Sequence, residues 1–215
     1  MRLPALVLAA CLALGACSGG PIDRSRLIDD MLHQLGRGEQ VVYFADYQLS
    51  GGSRGSVGQQ ADPKRTAYTF PGGKILVYRD QQTVCVTTAQ PVKCQVKALS
   101  TTAPATYADA TRQGFMTGPV LVDLLRVALL QASTSVKPHD ATLAGQPASC
   151  LEISGLVEAA AAAFTACVTA DGVLASFTGL VNGVNVDQAL IQVSRKVTEE
   201  VFTLPTGAQV VDLRQ

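Results

Sequence analysis

Six cysteines carry most of the reactive chemistry in this 215-residue chain: Cys11, Cys17, Cys85, Cys94, Cys150 and Cys167. The last four stand apart from the amino terminus, and four is the number two disulfides need. Three pairings are formally open. Cys85 and Cys94 flank a stretch with Pro91 near its middle, as facing residues of a hairpin would, and Cys150 and Cys167 end and begin two strand-like runs. Opposed residues of adjacent antiparallel strands come close enough to bridge, so local pairing is expected. A four-cysteine metal site is disfavoured because no pair has the two-residue spacing of a zinc knuckle. Gly51-Gly52-Ser53-Arg54-Gly55 fits the five-residue nucleophile-elbow pattern. An elbow needs a helix straight after the serine, and the polar, glycine-containing residues that follow do not predict one. The two histidines are His33, on the polar side of a predicted helix, and His139, in an expected Pro138-His139-Asp140 turn. Neither has a catalytic partner in view. Asp29-Asp30 and Glu199-Glu200 read as a solvated helix face and a strand end. The chain reads as non-enzymatic, with no cofactor or metal called for.

The first sixteen residues have a different role. Arg2 begins a short positive start, residues 3–14 are almost unbroken apolar chain, and Ser18-Gly19-Gly20 ends the run. A spanning helix needs about 20 apolar residues, so this is a secretory signal of the removable kind. At its end, Leu14-Gly15-Ala16-Cys17 resembles the lipobox of bacterial lipoproteins, in which the cysteine thiol is diacylated and the preceding bond is cut. The expected layout is therefore a signal peptide over 1–16, a lipidated tether over 17–21 and one domain over 22–215. The resemblance implies a palmitate-type anchor on Cys17 and an extracytoplasmic place on the outer leaflet of the cell membrane or on an outer membrane. An exported compartment also permits the two disulfides. Lys plus Arg equals Asp plus Glu at 17 each, which argues against a nucleic-acid partner.

Periodicity supplies the elements that hold these residues. A helix is predicted over 22–35 from apolar positions three and four apart, with Gly36 as its stop. Residues 41–49 alternate as a strand, 51–58 read as a glycine-rich turn, and short strands follow over 66–70, 74–79, 83–86 and 92–98. Residues 101–113 are polar and loop-like, and 120–132 form a helix with a wide apolar surface. Strand chemistry returns over 142–145, 148–153, 164–169, 173–178, 187–197 and 200–204, with a hairpin turn at Ala170-Asp171-Gly172 and an alanine-rich excursion over 155–163.

A meander of about nine to eleven strands with two apolar helices predicts an α+β fold, an incomplete antiparallel β-barrel (half-barrel) covered by helices. That element order, the lipobox and the closing Phe202-Thr203-Leu204-Pro205-Thr206-Gly207-Ala208-Gln209-Val210-Val211 resemble the lipoprotein-carrier superfamily that includes LolA, LolB and the LppX/LprG-type cell-envelope lipoproteins. The resemblance implies a LolA-like hydrophobic cavity for the acyl chains of lipids, glycolipids or lipoproteins. From pattern, its walls are Tyr43, Tyr47 and Leu49, then Tyr68, Phe70, Leu76 and Tyr78, and from the middle helix Leu121, Leu124, Leu125 and Leu129. Any core needs such stripes too. With aromatics at 5% and no tryptophan, the alternative is a filled core whose surface meets an envelope protein partner.

Overall fold

The computed structural model describes residues 23–214. The expected signal peptide and Cys17 lie outside the described residues. Helix α1 (Arg24–Gly38) starts at Asp23, whose side chain accepts a hydrogen bond from the Ser25 amide, and buries Ile28, Met31 and Leu35 along one stripe. It does not stop at Gly36 as predicted. It runs on to Gly38, where its backbone meets the backbone of Gly172 so closely that a Cβ on Gly38 would stand 2.1 Å from the Gly172 carbonyl oxygen.

From there the chain folds through β1 (Tyr43–Gln48), β2 (Arg54–Ala61), β3 (Lys64–Phe70), β4 (Gly73–Tyr78), β5 (Gln81–Val86) and β6 (Lys93–Ala98). Three helices follow, α2 (Ala103–Thr106), α3 (Ala108–Arg112) and α4 (Gly118–Leu130), then β7 (Ser135–Leu143), β8 (Gln146–Ser154), β9 (Ala163–Thr169), β10 (Leu174–Val181), β11 (Val184–Ser194) and β12 (Gln209–Asp212). All twelve strands belong to one open sheet, in the order β12-β6-β5-β4-β3-β2-β1-β11-β10-β9-β8-β7. Every pairing is antiparallel except β12 with β6. The ends of the order are edges, so the sheet does not close.

Several predicted elements are corrected. The glycine-rich turn shrinks to Ser50–Gly52, and 54–58 belong to β2. Gly55 and Gly58 are there for space: a Cβ would come within 2.4 Å of the Phe115 ring at the first and of Val201 at the second. The polar stretch 101–113 holds α2 and α3. Their hold on the sheet is partly polar, since the Gln82 amide group donates to the Thr106 carbonyl oxygen at 3.0 Å, and no apolar period announces it. Strand β7 begins well before 142. It is an edge with Pro138 and charged neighbours, exposed along most of its length, where proline is tolerated and an apolar face is not required. Residues 199–202 form a 3-10 turn rather than a strand, and the edge strand β12 follows, all four residues exposed.

Two large clusters form most of the core among the described residues, and a small third one gathers Ala148 and Ala175 around the Cys150–Cys167 pair. Tyr43, Ala45, Tyr47 and Leu49 join Val57, Tyr68, Ile75, Ala110 and Phe115 in one large cluster; Ile28, Met31, Leu121, Leu125, Leu151, Ile153, Phe164 and Phe177 belong to the other. The opposite face of β2–β6 is covered by the tail after β11. Gly58, Ala67, Leu76 and Thr83 lie in register across that face, and Val201 sits against Gly58. The Arg65 guanidinium stacks 4.1 Å over the Phe202 ring and pairs with Glu199, while the Lys74 ammonium donates to the Thr203 carbonyl oxygen at 3.0 Å. A strap made by these contacts converts exposed sheet into a second buried layer.

Candidate functional site

The eleven positions expected to wall one cavity fall into three places. Tyr43, Tyr47, Leu49 and Tyr68 are buried and Phe70 half-buried in the cluster beneath α3 and Phe115. Leu121, Leu124 and Leu125 are buried, with Leu129 half-buried against them, in the cluster beneath α1 and α4. Leu76 and Tyr78 point the other way. Strand alternation puts Ile75 and Val77 into the core, so their neighbours lie on the strap side, with Phe202 and Leu204.

Between the helices and the sheet, the space bordered by Tyr43, Tyr47, Tyr68, Tyr107, Gln59 and Gln188 amounts to about 70 Å³. Sites for drug-sized ligands run to roughly 300–1,000 Å³. The polar atoms of this hollow are mostly occupied by the protein: the Tyr47 hydroxyl donates to the Leu174 carbonyl oxygen at 2.8 Å, and the Gln188 side-chain oxygen accepts from the Met116 amide at 2.8 Å. The Gln59 amide group donates to the carbonyl oxygens of Gly38 and Val41. Burial pushes the Tyr43 phenol up to about 12, against the opposing pull of Arg195, and raises Tyr47 and Tyr68 well above the ordinary tyrosine value. A phenol held neutral in this way is a hydrogen-bond donor, not a base.

On the strap side, a hollow of about 390 Å³ is lined by Leu76, Tyr78, Val96, Phe202 and Leu204, with Arg65 at its rim. The strap and its hollow were not anticipated in the sequence. The exposed flank of the strap carries no apolar alternation, and only the Pro205-Thr206-Gly207 turn marks where the chain reverses.

The cysteines pair locally: Cys85 opposes Cys94 across β5–β6, and Cys150 opposes Cys167 across β8–β9, each pair with Cα atoms 4.0 Å apart. His139 lies in β7 opposite Cys150 rather than in a turn. Its ring comes within 4.8 Å of the Cys150 and Cys167 sulfurs. Both sulfurs are spent in a disulfide, and metal binding at cysteine needs the thiolate. After Ser53 the chain enters β2, so the serine lacks the helix that an elbow requires. His33 is exposed on α1.

No family model matches the chain, and no curated protein matches it. Among solved structures it is similar to an uncharacterized conserved protein from Thermus thermophilus, with a TM-score of 0.55 and 13% identity, over 86% of this chain and 98% of that one. A shared fold is what that likeness shows. Weaker likenesses are to MucB in complex with MucA(peri), at a TM-score of 0.44 and 11% identity over 86% of this chain and 61% of that one, and to a DUF1329 family protein from Desulfovibrio piger, at 0.36 and 12% over 76% of each. Neither bears on the roles of residues here.

Proposed function

We propose that this protein is an extracytoplasmic lipoprotein, anchored through acyl chains on Cys17, whose sheet wraps its helices as a filled half-barrel and serves to contact an envelope protein. The observation that carries this reading is the small interior. The face on which an acyl cavity was expected retains about 70 Å³, room for very few water molecules. The paired cysteines suit an oxidising, exported compartment, and no described helix is long and apolar enough to cross a membrane. Native mass spectrometry of the domain made in its own envelope, with Cys17→Ser, tests it: the expected mass is lipid-free with two disulfides. A co-purified lipid that stays bound when the outer-face residues Tyr78 and Leu204 are replaced by alanine would overturn the filled core in favour of a carrier. The same substitution is expected to abolish membrane retention of the full chain while leaving its circular dichroism unchanged.

A second reading rests on the strap. Its hollow of about 390 Å³ lies within the size range for a small amphipathic ligand, and it contains two residues expected at the ligand wall, Leu76 and Tyr78. A lipid or glycolipid bound there would be displaced by Tyr78→Ala with Leu204→Ala. Loss of the bound mass in that variant would assign the cargo to the outer face.

A further inference from the structure

Three segments are tied together where α1 begins. The Arg24 guanidinium donates to the carbonyl oxygen of Ala128 at 3.1 Å and to that of Gln131, which caps the end of α4 with a positive charge where its dipole is negative. The Gln131 side chain then holds the next segment from both sides, donating to the Val157 carbonyl oxygen at 2.7 Å and accepting from the Val157 amide at 2.9 Å. The frame they make presents Leu130, 85% exposed, and Val157, 63% exposed, the most exposed large apolar side chains among the described residues. A further bond, from the Asn182 amide to the Ala160 carbonyl oxygen at 2.7 Å, brings in the β10–β11 turn, two residues before which stands Leu180 at 59% exposure.

Single exposed apolar residues are ordinary. Three in hydrogen-bonded segments, at the end where the amino-terminal chain enters the fold, are not scattered. Asp23 caps α1 at this corner, and it stands six residues after Cys17. Extended chain of that length reaches at most about 22 Å. An acyl group on Cys17 therefore keeps this end of the protein within that distance of the bilayer, with no comparable constraint on β12 at the far edge of the sheet. The charged neighbours are of both signs, Asp23, Arg24, Arg26 and Glu158, so the contact depends on apolar insertion rather than on attraction to anionic lipid.

We infer that the corner formed by Leu130 and Val157, with Leu180 beside it, docks on the phospholipid surface that carries the Cys17 anchor and sets the orientation of the sheet above the membrane. The inference rests on the anchor reading above. Its test uses the full lipidated chain, carrying a photoreactive benzophenone side chain at position 130 or at position 210, floated with vesicles of phosphatidylethanolamine and phosphatidylglycerol. Side chains of such a corner enter the headgroup and acyl boundary, so lipid adducts are expected on the order of tenfold more often from position 130 than from position 210. Flotation with equal adducts at both positions, or with none at 130, overturns the docking corner and leaves the anchor standing. Failure of the chain to float overturns the anchor on Cys17 and the corner with it.

Discussion

At Tyr47 the side chain that reads as ligand wall is part of the core. Its hydroxyl is the donor to the Leu174 carbonyl oxygen, and it is 1% exposed. Tyr47→Phe removes the donor and leaves that carbonyl unpaired in a buried place, a loss expected to cost about 1–3 kcal/mol in urea unfolding. The neighbouring Tyr43 predicts a pH dependence. The unfolded chain gives up its tyrosine protons near pH 10, whereas the folded chain keeps that of Tyr43 to about 12. Stability is therefore level below pH 10 and falls as pH rises through the window from 10 to 12, by about 3 kcal/mol from this residue. Tyr43→Phe is expected to flatten part of that fall in alkaline denaturation followed by circular dichroism. An unaltered alkaline profile would place Tyr43 in contact with solvent. Spacing places these phenols on one face of a strand; only the packing shows whether that face meets a ligand or Phe115.

Elements are set by contacts that spacing does not record. Helix α1 overruns Gly36 because Gly38 is the residue pressed against the β9–β10 turn. Gly172 there has φ +85, and a Cβ on it would stand 2.1 Å from the Gln34 carbonyl oxygen. Backbone on both sides cannot rotate away. Gly172→Ala is expected to destabilise the protein by about 3 kcal/mol or more. Gly36→Ala, with nothing within 4 Å of its added Cβ, is expected to stabilise it by roughly 0.5–1 kcal/mol through the helix propensity of alanine. Thermal unfolding of the pair separates the two roles, and equal shifts would refute the backbone contact. The same principle explains the misplaced turn over 51–58, where two glycines mark close approach within a strand, and the late start expected for β7 and the missed β12, edge strands with no apolar face to betray them.

Over the whole molecule, the two large core clusters share one sheet and meet at Tyr107, which packs against both. The tyrosines number five, and tryptophan is absent. Four of them line the first cluster or its edge and Tyr78 lies on the strap side of the same strands; Tyr107 alone of these also packs against the second cluster, so tyrosine emission reports mainly the first half of the molecule. Leu125 is fully buried in the other half. Leu125→Ala is expected to cost about 2–5 kcal/mol. If the sheet transmits the loss, tyrosine emission and far-ultraviolet circular dichroism shift their urea midpoints together. A tyrosine midpoint left unchanged would mean that the halves unfold separately.

Local composition determined a good deal by itself: the meander, the two long amphipathic helices, the Asp171-Gly172 hairpin and the pairing of cysteines that face each other across neighbouring strands. Those features depend on periods of two and of 3.6 residues and on turn chemistry, which neighbouring residues specify. Tertiary structure alone decided which side of the sheet each stripe faces a partner on. Leu76 and Tyr68 carry the same apolar signal, yet one lies beneath Phe202 and the other beneath Phe115, because successive residues of a strand point to opposite faces and both faces are covered here. Whether a hollow survives between layers depends on how side chains from distant segments fill it, and that sum over long-range contacts has no local trace in the chain.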